Sequence, residues 1–250
     1  EGDVPILATR NMVMFPGVLC PILIGRENSL KLIEKAKKAP NTIFAIFCQK
    51  DADVEEPHQK DLYAYGVYAR LVRVLEMPGH GQNVTAIIQA MGRCKLEKVT
   101  KTKPFLQGLT TIAPEVLPEP NDEEYQTAAE DFRKQTIEYI KENDDIADEA
   151  QFALNNIQNN ILSINYMCTN MPFTNEDKMS MLEANSMNER IMISLKVLNK
   201  EMQLLELKKQ IRTKTREDLD EQQREYFLQQ QIKNIKEELG NGEGSPERRD

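Results

Sequence analysis

Hydrophobic residues in the first half of the chain fall into short runs that predict β-strands. The runs are rich in Ile, Val, Leu, Phe and Tyr, and Gly, Pro or Asn residues separate them. They comprise Leu19–Ile24, Ile43–Gln49 and residues 63–75, 84–90 and 106–112. One helix is expected among them, from a cap at Asn28 to a stop at Pro40. Five or six short strands predict a small, partly open β-barrel, because closure removes exposed strand edges.

In the second half, apolar residues recur every three or four positions, which is the period of amphipathic helices. Helices are predicted over residues 124–141, 148–168, 175–184 and 187–239. The last has apolar stripes with coiled-coil spacing at both ends, but from 208 to 225 only Ile211 and Leu219 are apolar. It would measure about 80 Å, whereas a compact chain of this length is about 45 Å across. We therefore expect an α+β protein that ends in one long, projecting helix.

The chain changes composition near Pro114, Pro118 and Pro120. Eight of the eleven glycines occur by Gly108, and the other three lie at 240, 242 and 244. Residues 1–118 carry 15 basic and 12 acidic side chains (+3), whereas residues 119–250 carry 17 and 28 (-11). Two domains are predicted, a β domain over residues 1–118 and a helical domain over 119–240, followed by a flexible linker over 241–250.

The overall composition is that of a globular protein. The 250 residues carry a net charge of -8, and no apolar run approaches the roughly 20 residues that a membrane-spanning helix needs. The N-terminus lacks the pattern of a secretion signal, and because it opens on Glu1 the sequence is interpreted as a fragment of a longer protein. Four widely spaced cysteines suggest buried, reduced thiols, which suits the cytoplasm.

Catalytic and metal-binding motifs are missing from the sequence. No Gly precedes a Lys as a phosphate-binding loop requires, and no Gly-x-Ser-x-Gly or His-Glu-x-x-His motif occurs. His58 and His80 lie in polar stretches without a second ligand nearby. Basic and acidic residues alternate in the last helix, which argues against nucleic acid as a partner. We expect no catalytic residues, no metal site and no cofactor within this chain.

Two sets of residues resemble a known family. The sets lie in the predicted barrel and near the end of the long helix, and the second is the more specific. They are Phe15, Pro16, Gly17, Pro21, Gly25, Arg26, Gln49, Lys50, Asp51, Asp61, Leu62, Tyr63, Gly66 and Arg93, then Gln223, Arg224, Glu225, Tyr226, Phe227, Leu228, Glu237, Glu238, Leu239 and Gly240. Together they resemble the N-terminal region of Lon, the ATP-dependent protease, over nearly the whole chain.

The resemblance implies a PUA-like β domain followed by a helical domain with a long helix. It further implies that the parent chain carries an AAA+ ATPase, which uses ATP and magnesium, and a Ser-Lys protease, and that it assembles as a hexamer. The implied role of this fragment is to capture unfolded, damaged or degron-bearing proteins and to help hold the hexamer together. An alternative is a stand-alone adaptor or peptide-binding protein of the same domain family, without an ATPase.

Methionine-rich segments are the candidate capture surface, because flexible apolar side chains adapt to substrates of no fixed sequence. Met171 and Phe173 flank a proline that interrupts the helices, so they are expected to be the most exposed. A second patch is expected at the hairpin tip. The candidate substrate-binding residues are Met77, Pro78, Met167, Met171, Phe173, Met179 and Met181.

The long helix is interpreted as a lever that also contacts a neighbouring copy of the chain. Its candidate contact residues are Ile211, Leu219, Tyr226 and Phe227. A stand-alone module has little reason to end in so long an exposed helix, so this feature favours the fragment of a protease over the adaptor.

Overall fold

The computed structural model describes residues 2–76, Gly79 and residues 81–242. Residues 241 and 242 are described by their backbone alone. The chain divides into two compact units, residues 1–200 and residues 201–250. Each unit is described by itself. The first contains the strands and most of the helices, and the second contains the continuation of the last helix.

Six strands are described in the first unit. They are β1 (Gly2–Thr9), β2 (Leu19–Ile24), β3 (Ile43–Gln49), β4 (Leu62–Glu76), β5 (Val84–Lys101) and β6 (Gln107–Ile112). β1 pairs with β3 in parallel, and the other pairings, β3 with β4, β4 with β5, β5 with β6 and β6 with β1, are antiparallel. These pairings close five strands into a ring. β2 pairs with the first half of β5 alongside that ring.

The strand predictions are largely confirmed. β2 and β3 have the expected bounds, and residues 63–75 fall within β4. Two segments were missed, namely β1 and the second half of β5. The segment after Gly92 contains several charged residues, but Cys94 and Leu96 are buried while Lys95 and Glu97 are exposed. That alternation is typical of a strand with one buried face.

Six α-helices are described. They are α1 (Glu27–Lys38), α2 (Glu123–Glu142), α3 (Asp148–Asn155), α4 (Asn160–Asn170), α5 (Asn175–Glu183) and α6 (Met187–Gly242). The helix predicted over 148–168 is two helices, because the Asn159 side chain caps a new helix by accepting bonds from the Ile161 and Leu162 amides. The cap predicted at Asn28 is wrong, since α1 begins at Glu27 after Arg26.

The long terminal helix is confirmed, and it continues to Gly242. With the β domain before it, the expected α+β order of elements is observed. The proposed domain boundary lies between the end of β6 and the start of α2. Because contacts group residues 1–200 as one unit, division of the chain at residue 118 stays a prediction.

A closed apolar core fills the ring of strands. It contains Ile6, Ala8, Ala45, Phe47, Leu62, Tyr68, Cys94, Leu96 and Leu106. Gly66 of β4 pairs with Phe47 of β3, and a Cβ atom there would stand 2.1 Å from the Ile46 carbonyl oxygen. This close approach of two strands requires a residue without a side chain.

Two buried arginines bind the helices to the β-strands within the first unit. Arg93 of β5 donates to the Leu182 and Ala184 carbonyls, at 2.9 Å each, and to the Asn185 side chain at 3.2 Å. Burial lowers the pKa of its guanidinium, and the Glu115 charge opposes that shift. Because these bonds satisfy carbonyls at the end of α5, the helices are fixed to the sheet by directional contacts as well as apolar ones.

Arg190 of α6 is the second arginine, and it is fully buried. It donates to the Met181 carbonyl and to Asn165 Oδ1, at 2.9 Å each, and forms an ion pair with Glu115. Its guanidinium also lies 5.3 Å from the centre of the Phe15 ring. One side chain thus joins three helices to the segments before β2 and after β6.

Candidate functional site

Five of the seven residues predicted as the capture surface are buried. Exposed fractions are 0% for Met167 and Met181, 1% for Met171, 3% for Met179 and 6% for Phe173. The prediction that Met171 and Phe173 are displayed is therefore wrong. Side chains this deeply covered pack within the first unit and offer no surface to an approaching polypeptide.

Backbone geometry after α4 explains this correction. The helix does end at Asn170 as the proline suggested, but the Met171 amide still donates to the Met167 carbonyl at 3.0 Å. The Phe173 amide then donates to the Met171 carbonyl at 2.8 Å, which makes a tight turn. Pro172 is left exposed, while the two flanking side chains point inward.

Other predicted residues have different outcomes. Met77 and Pro78 lie outside the described residues. In the second unit, Ile211, Leu219, Tyr226 and Phe227 are all exposed, with fractions from 53% to 66%. Their proposed role between copies of the chain stays a prediction.

An exposed apolar strip lies on the outer face of the sheet formed by β2, β5 and β4. Register places Leu23, Thr85 and Leu75 in one row, and Pro21, Ile87 and Arg73 in the next. Leu19 lies at the other end of β2, and Val72 lies at a bulge of β4. Side chains in such rows share one face. We call Leu19, Pro21, Leu23, Val72, Leu75 and Ile87 the outer apolar strip.

The strip is unusually exposed for residues of its type. Exposed fractions are 70% for Leu23, 52% for Leu19 and Val72, and 38% for Leu75. The opposite face of the same strands is buried, for example at Ile22 and Ile88. An antiparallel sheet with one solvated face normally carries polar residues there, so this cluster of exposed leucines and valine is a candidate binding surface.

Sequence reasoning missed the strip although a signal was present. The segment Leu19–Ile24 has apolar residues at every position, which leaves both faces apolar whichever one is buried. Pro21 in the middle is typical of an edge strand, since proline cannot donate to a second neighbour. An edge strand with two apolar faces predicts an exposed apolar surface.

Buried ionisable groups in the first unit are structural. All four cysteines are free and buried, as expected, and burial raises the pKa of the Cys94 thiol to about 12. Burial also lowers the pKa of Lys178 to about 8, and its ammonium group donates to the Thr169 carbonyl at 2.6 Å. A thiol with a raised pKa is a poor nucleophile. These groups therefore support packing between α4, α5 and the strands.

Two negative findings concern the described residues. No cluster of three or more His, Cys, Asp or Glu residues with metal-binding geometry occurs among them. Within the same part of the chain, no helix is both long and apolar enough to cross a lipid bilayer. The outer apolar strip, which offers adaptable apolar contacts and no reactive group, remains the leading candidate site.

Comparison with known proteins identifies a family over most of the chain. Residues 3–200 match the family described as the ATP-dependent protease La (LON) substrate-binding domain. Lon protease of Parabacteroides distasonis is 40% identical over 240 residues, which is 96% of this chain and 29% of the relative. Lon protease of Porphyromonas gingivalis is 42% identical over 244 residues, 96% of this chain and 28% of the relative. The chain thus spans less than a third of these relatives.

Two solved structures share the fold. The N-terminal domain of the Mycobacterium avium complex Lon protease has a TM-score of 0.60 and 18% identity, and it covers 79% of this chain and 98% of its own. A Lon N-terminal domain protein from Xanthomonas campestris has a TM-score of 0.50 and 13% identity, with coverage of 78% and 97%. At these identities the likeness concerns the fold alone.

Proposed function

Because this chain belongs to the family of the ATP-dependent protease La (LON) substrate-binding domain, we propose that it captures unfolded or damaged polypeptides on the outer apolar strip. The observation that carries the proposal is the exposure of Leu19, Leu23 and Leu75 on one face of a sheet whose other face is buried, with Val72 exposed at the adjacent bulge of β4. An unfolded client exposes apolar side chains of varied sequence. A flat apolar strip can contact many such segments without a shaped pocket.

We infer the wider setting from the relatives. Since they are Lon proteases of more than three times this length, we propose that the parent protein adds an AAA+ ATPase, which uses ATP and magnesium, and a serine protease. This chain would then hold the client while the parent unfolds and cuts it in the cytoplasm. The relatives' identity favours this setting over a stand-alone adaptor. Capture of clients by this chain alone is compatible with a protease parent and with a stand-alone adaptor.

The first test replaces Leu19 and Leu23 with serine. We expect binding of reduced, carboxymethylated α-lactalbumin to weaken at least tenfold, because two exposed leucines each contribute about 1 kcal/mol or more of apolar contact when a client covers them. Fluorescence anisotropy of the labelled client measures the dissociation constant. Thermal unfolding of the variant checks that the fold is retained.

A matched control changes the same chemistry elsewhere in the first unit. Leu109 and Ile112 of β6 are also exposed, and replacing both with serine should leave client binding within about twofold. Equal losses in the two double variants, or no loss in the strip variant, would refute the placement of capture on the strip.

A second role is proposed for the part of α6 in the second unit. Two exposed groups of apolar residues follow the alternating three- and four-residue spacing of a coiled coil, and both groups share one phase. They are Leu204, Leu207 and Ile211, and then Leu228, Ile232, Ile235 and Leu239. We call them the helix seam. Its exposure supports contact with the same helix of another copy of this chain, as a hexameric parent would need.

The helix seam predicts a specific effect on assembly. Replacing Leu228 and Ile235 with serine should shift the chain toward monomer at micromolar concentration, as measured by sedimentation velocity. Gln223 and Gln230 are exposed and lie off the seam, so replacing both with serine should leave the association constant within about twofold. An unchanged seam variant, or equal effects at the off-seam residues, would contradict contact along the seam.

A further inference from the structure

The edge of β2 that faces away from β5 has unpaired backbone groups. In the described part of the chain, β2 pairs with β5 alone. The Ala90 amide donates to the Val18 carbonyl at 2.9 Å. Because hydrogen-bonded pairs alternate in an antiparallel ladder, Cys20, Ile22 and Ile24 follow Val18 in bonding to β5. Residues 19, 21 and 23 therefore direct their backbone groups to the free edge.

The same three residues belong to the outer apolar strip. Along the free edge, Leu19 and Leu23 each offer an amide and a carbonyl. Pro21 has no amide, and its carbonyl already accepts from the Cys20 thiol at 3.6 Å. A strand that added to this edge would gain backbone hydrogen bonds. Its side chains would also lie beside the exposed leucines of the strip. Apolar contact and strand pairing would thus come from one short segment.

A groove of about 640 Å³ runs beside the second half of β2. Residues 21–26 line one side, and residues 7–12, at the end of β1 and just after it, line another. β6 pairs with β1 through Gly2–Pro5, so its ladder stops before this groove. Instead of a strand, the Arg26 side chain reaches across and donates to the Ala8 carbonyl at 2.7 Å.

The groove is positively charged although the chain as a whole is acidic. Arg10 and Arg26 line it together with apolar and neutral polar residues, and no carboxylate does. The Glu55 carboxylate lies 3.5 Å from Arg10, but it is largely exposed to solvent and neutralises little. Burial and then repulsion from Arg10 lower the pKa of Arg26. A segment with a negative charge at one end fits this distribution.

We propose that an extended segment of the captured polypeptide, with alternating apolar side chains and an acidic residue at one end, pairs as an added strand with the free edge of β2. The inference rests on the proposed function, because it names the class of client segment and how the strip holds it. Backbone pairing would explain how a capture surface accepts many sequences, since every residue except proline carries an amide donor.

The test uses one peptide in three forms. A ten-residue peptide of alternating valine and threonine, with two glutamates at its C-terminus, is compared with versions N-methylated at every odd or every even amide. A paired strand presents only one set of amides to its neighbour. The valine face together with the strand direction, which the acidic end sets, fixes which set it is. We expect one methylated form to bind at least tenfold more weakly, and the other to bind within about twofold of the unmodified peptide.

Each outcome separates strand pairing from simple apolar capture. If both methylated forms bind like the unmodified peptide, or if the unmodified peptide fails while carboxymethylated α-lactalbumin binds, strand pairing is overturned and capture stands. If neither probe binds, the proposed function is overturned as well. A form of the peptide with two glutamines in place of the two glutamates should bind more weakly than the unmodified peptide at low salt. Equal binding of these two peptides would overturn the acidic preference.

A pair of protein variants gives an independent readout. Leu23→Pro removes an amide from the free edge, and Leu23→Ala removes the same side chain but keeps the amide. We expect the proline variant to bind the unmodified peptide about threefold to tenfold more weakly than the alanine variant, the range of one hydrogen bond. Equal binding by the two folded variants would overturn the pairing. Should Leu23→Pro fail to fold, the methylated peptides still decide.

Discussion

Replacing Arg190 with methionine should destabilise this chain by about 3–5 kcal/mol, the usual cost of removing one member of a buried ion pair. Methionine fills a similar volume but leaves the Glu115 carboxylate, the Asn165 side chain and the Met181 carbonyl without their donor. Each buried acceptor left unpaired carries a desolvation cost. Urea unfolding followed by circular dichroism measures the change in the free energy of unfolding.

Two comparisons show whether the loss comes from the buried contacts. Lys196 is exposed on the same helix, and Lys196→Ala should change stability by less than about 0.5 kcal/mol. Adding Glu115→Gln to the Arg190→Met variant should cost less than it costs alone, because the carboxylate has already lost its partner. Strictly additive costs, or a loss of unfolding free energy below about 1 kcal/mol in the Arg190→Met variant, would show that the buried Arg190 contacts contribute little to stability.

The contacts of the two buried arginines, Arg93 and Arg190, show a limit of what the sequence could predict. Arg93 and Arg190 occur in a strand and a helix whose patterns give no sign that a charge is buried, and charged residues are usually exposed. Their partners at Leu182 and Glu115 lie 89 and 75 positions away along the chain. Periodicity reports which face of an element is apolar. It carries no information about which distant carbonyls gather around a guanidinium group.

The methionine prediction failed for a related reason. A three- and four-residue period identifies the apolar side of a helix, and Pro172 correctly predicted the end of α4. Whether that apolar side is covered depends on elements far away in sequence. Met167 and Met181 are completely covered in the first unit. The spacing of apolar residues therefore predicted the helices correctly, but it could not predict which of their side chains are exposed.

The outer apolar strip was predictable in part from local information. A six-residue run with no charged residue and a central Pro21 predicts an edge strand that is apolar on both faces. Only one face of such a strand can be buried against the core of a small barrel. Missing β1 and the second half of β5 hid this consequence, because without them the ring of strands and the position of β2 at its side could not be derived.

Gly66→Ala should destabilise the chain by more than about 3 kcal/mol, because there is no room for a side chain where Gly66 of β4 pairs with Phe47 of β3. A Cβ atom at this position would lie 2.1 Å from the Ile46 carbonyl oxygen and 2.7 Å from the Phe47 ring. Both neighbours are buried, and the Phe47 side chain belongs to the core of the ring. Relief would need the two strands to separate, which breaks backbone pairing and opens a cavity. Thermal and urea unfolding measure the loss.

Gly92 of β5 provides the matched control for this change. An added Cβ there meets no atom within 4 Å, so Gly92→Ala should leave the free energy of unfolding unchanged or raise it by up to about 1 kcal/mol, because alanine restricts the unfolded chain. A loss at Gly92 as large as that at Gly66 would mean that strand flexibility, rather than the close approach to β3, sets the requirement. A neutral Gly66→Ala would show that the strands can move apart at little cost. Since β2 and the strip are held by β5, which β4 supports, client binding by the Gly66→Ala variant should fall together with its folded fraction.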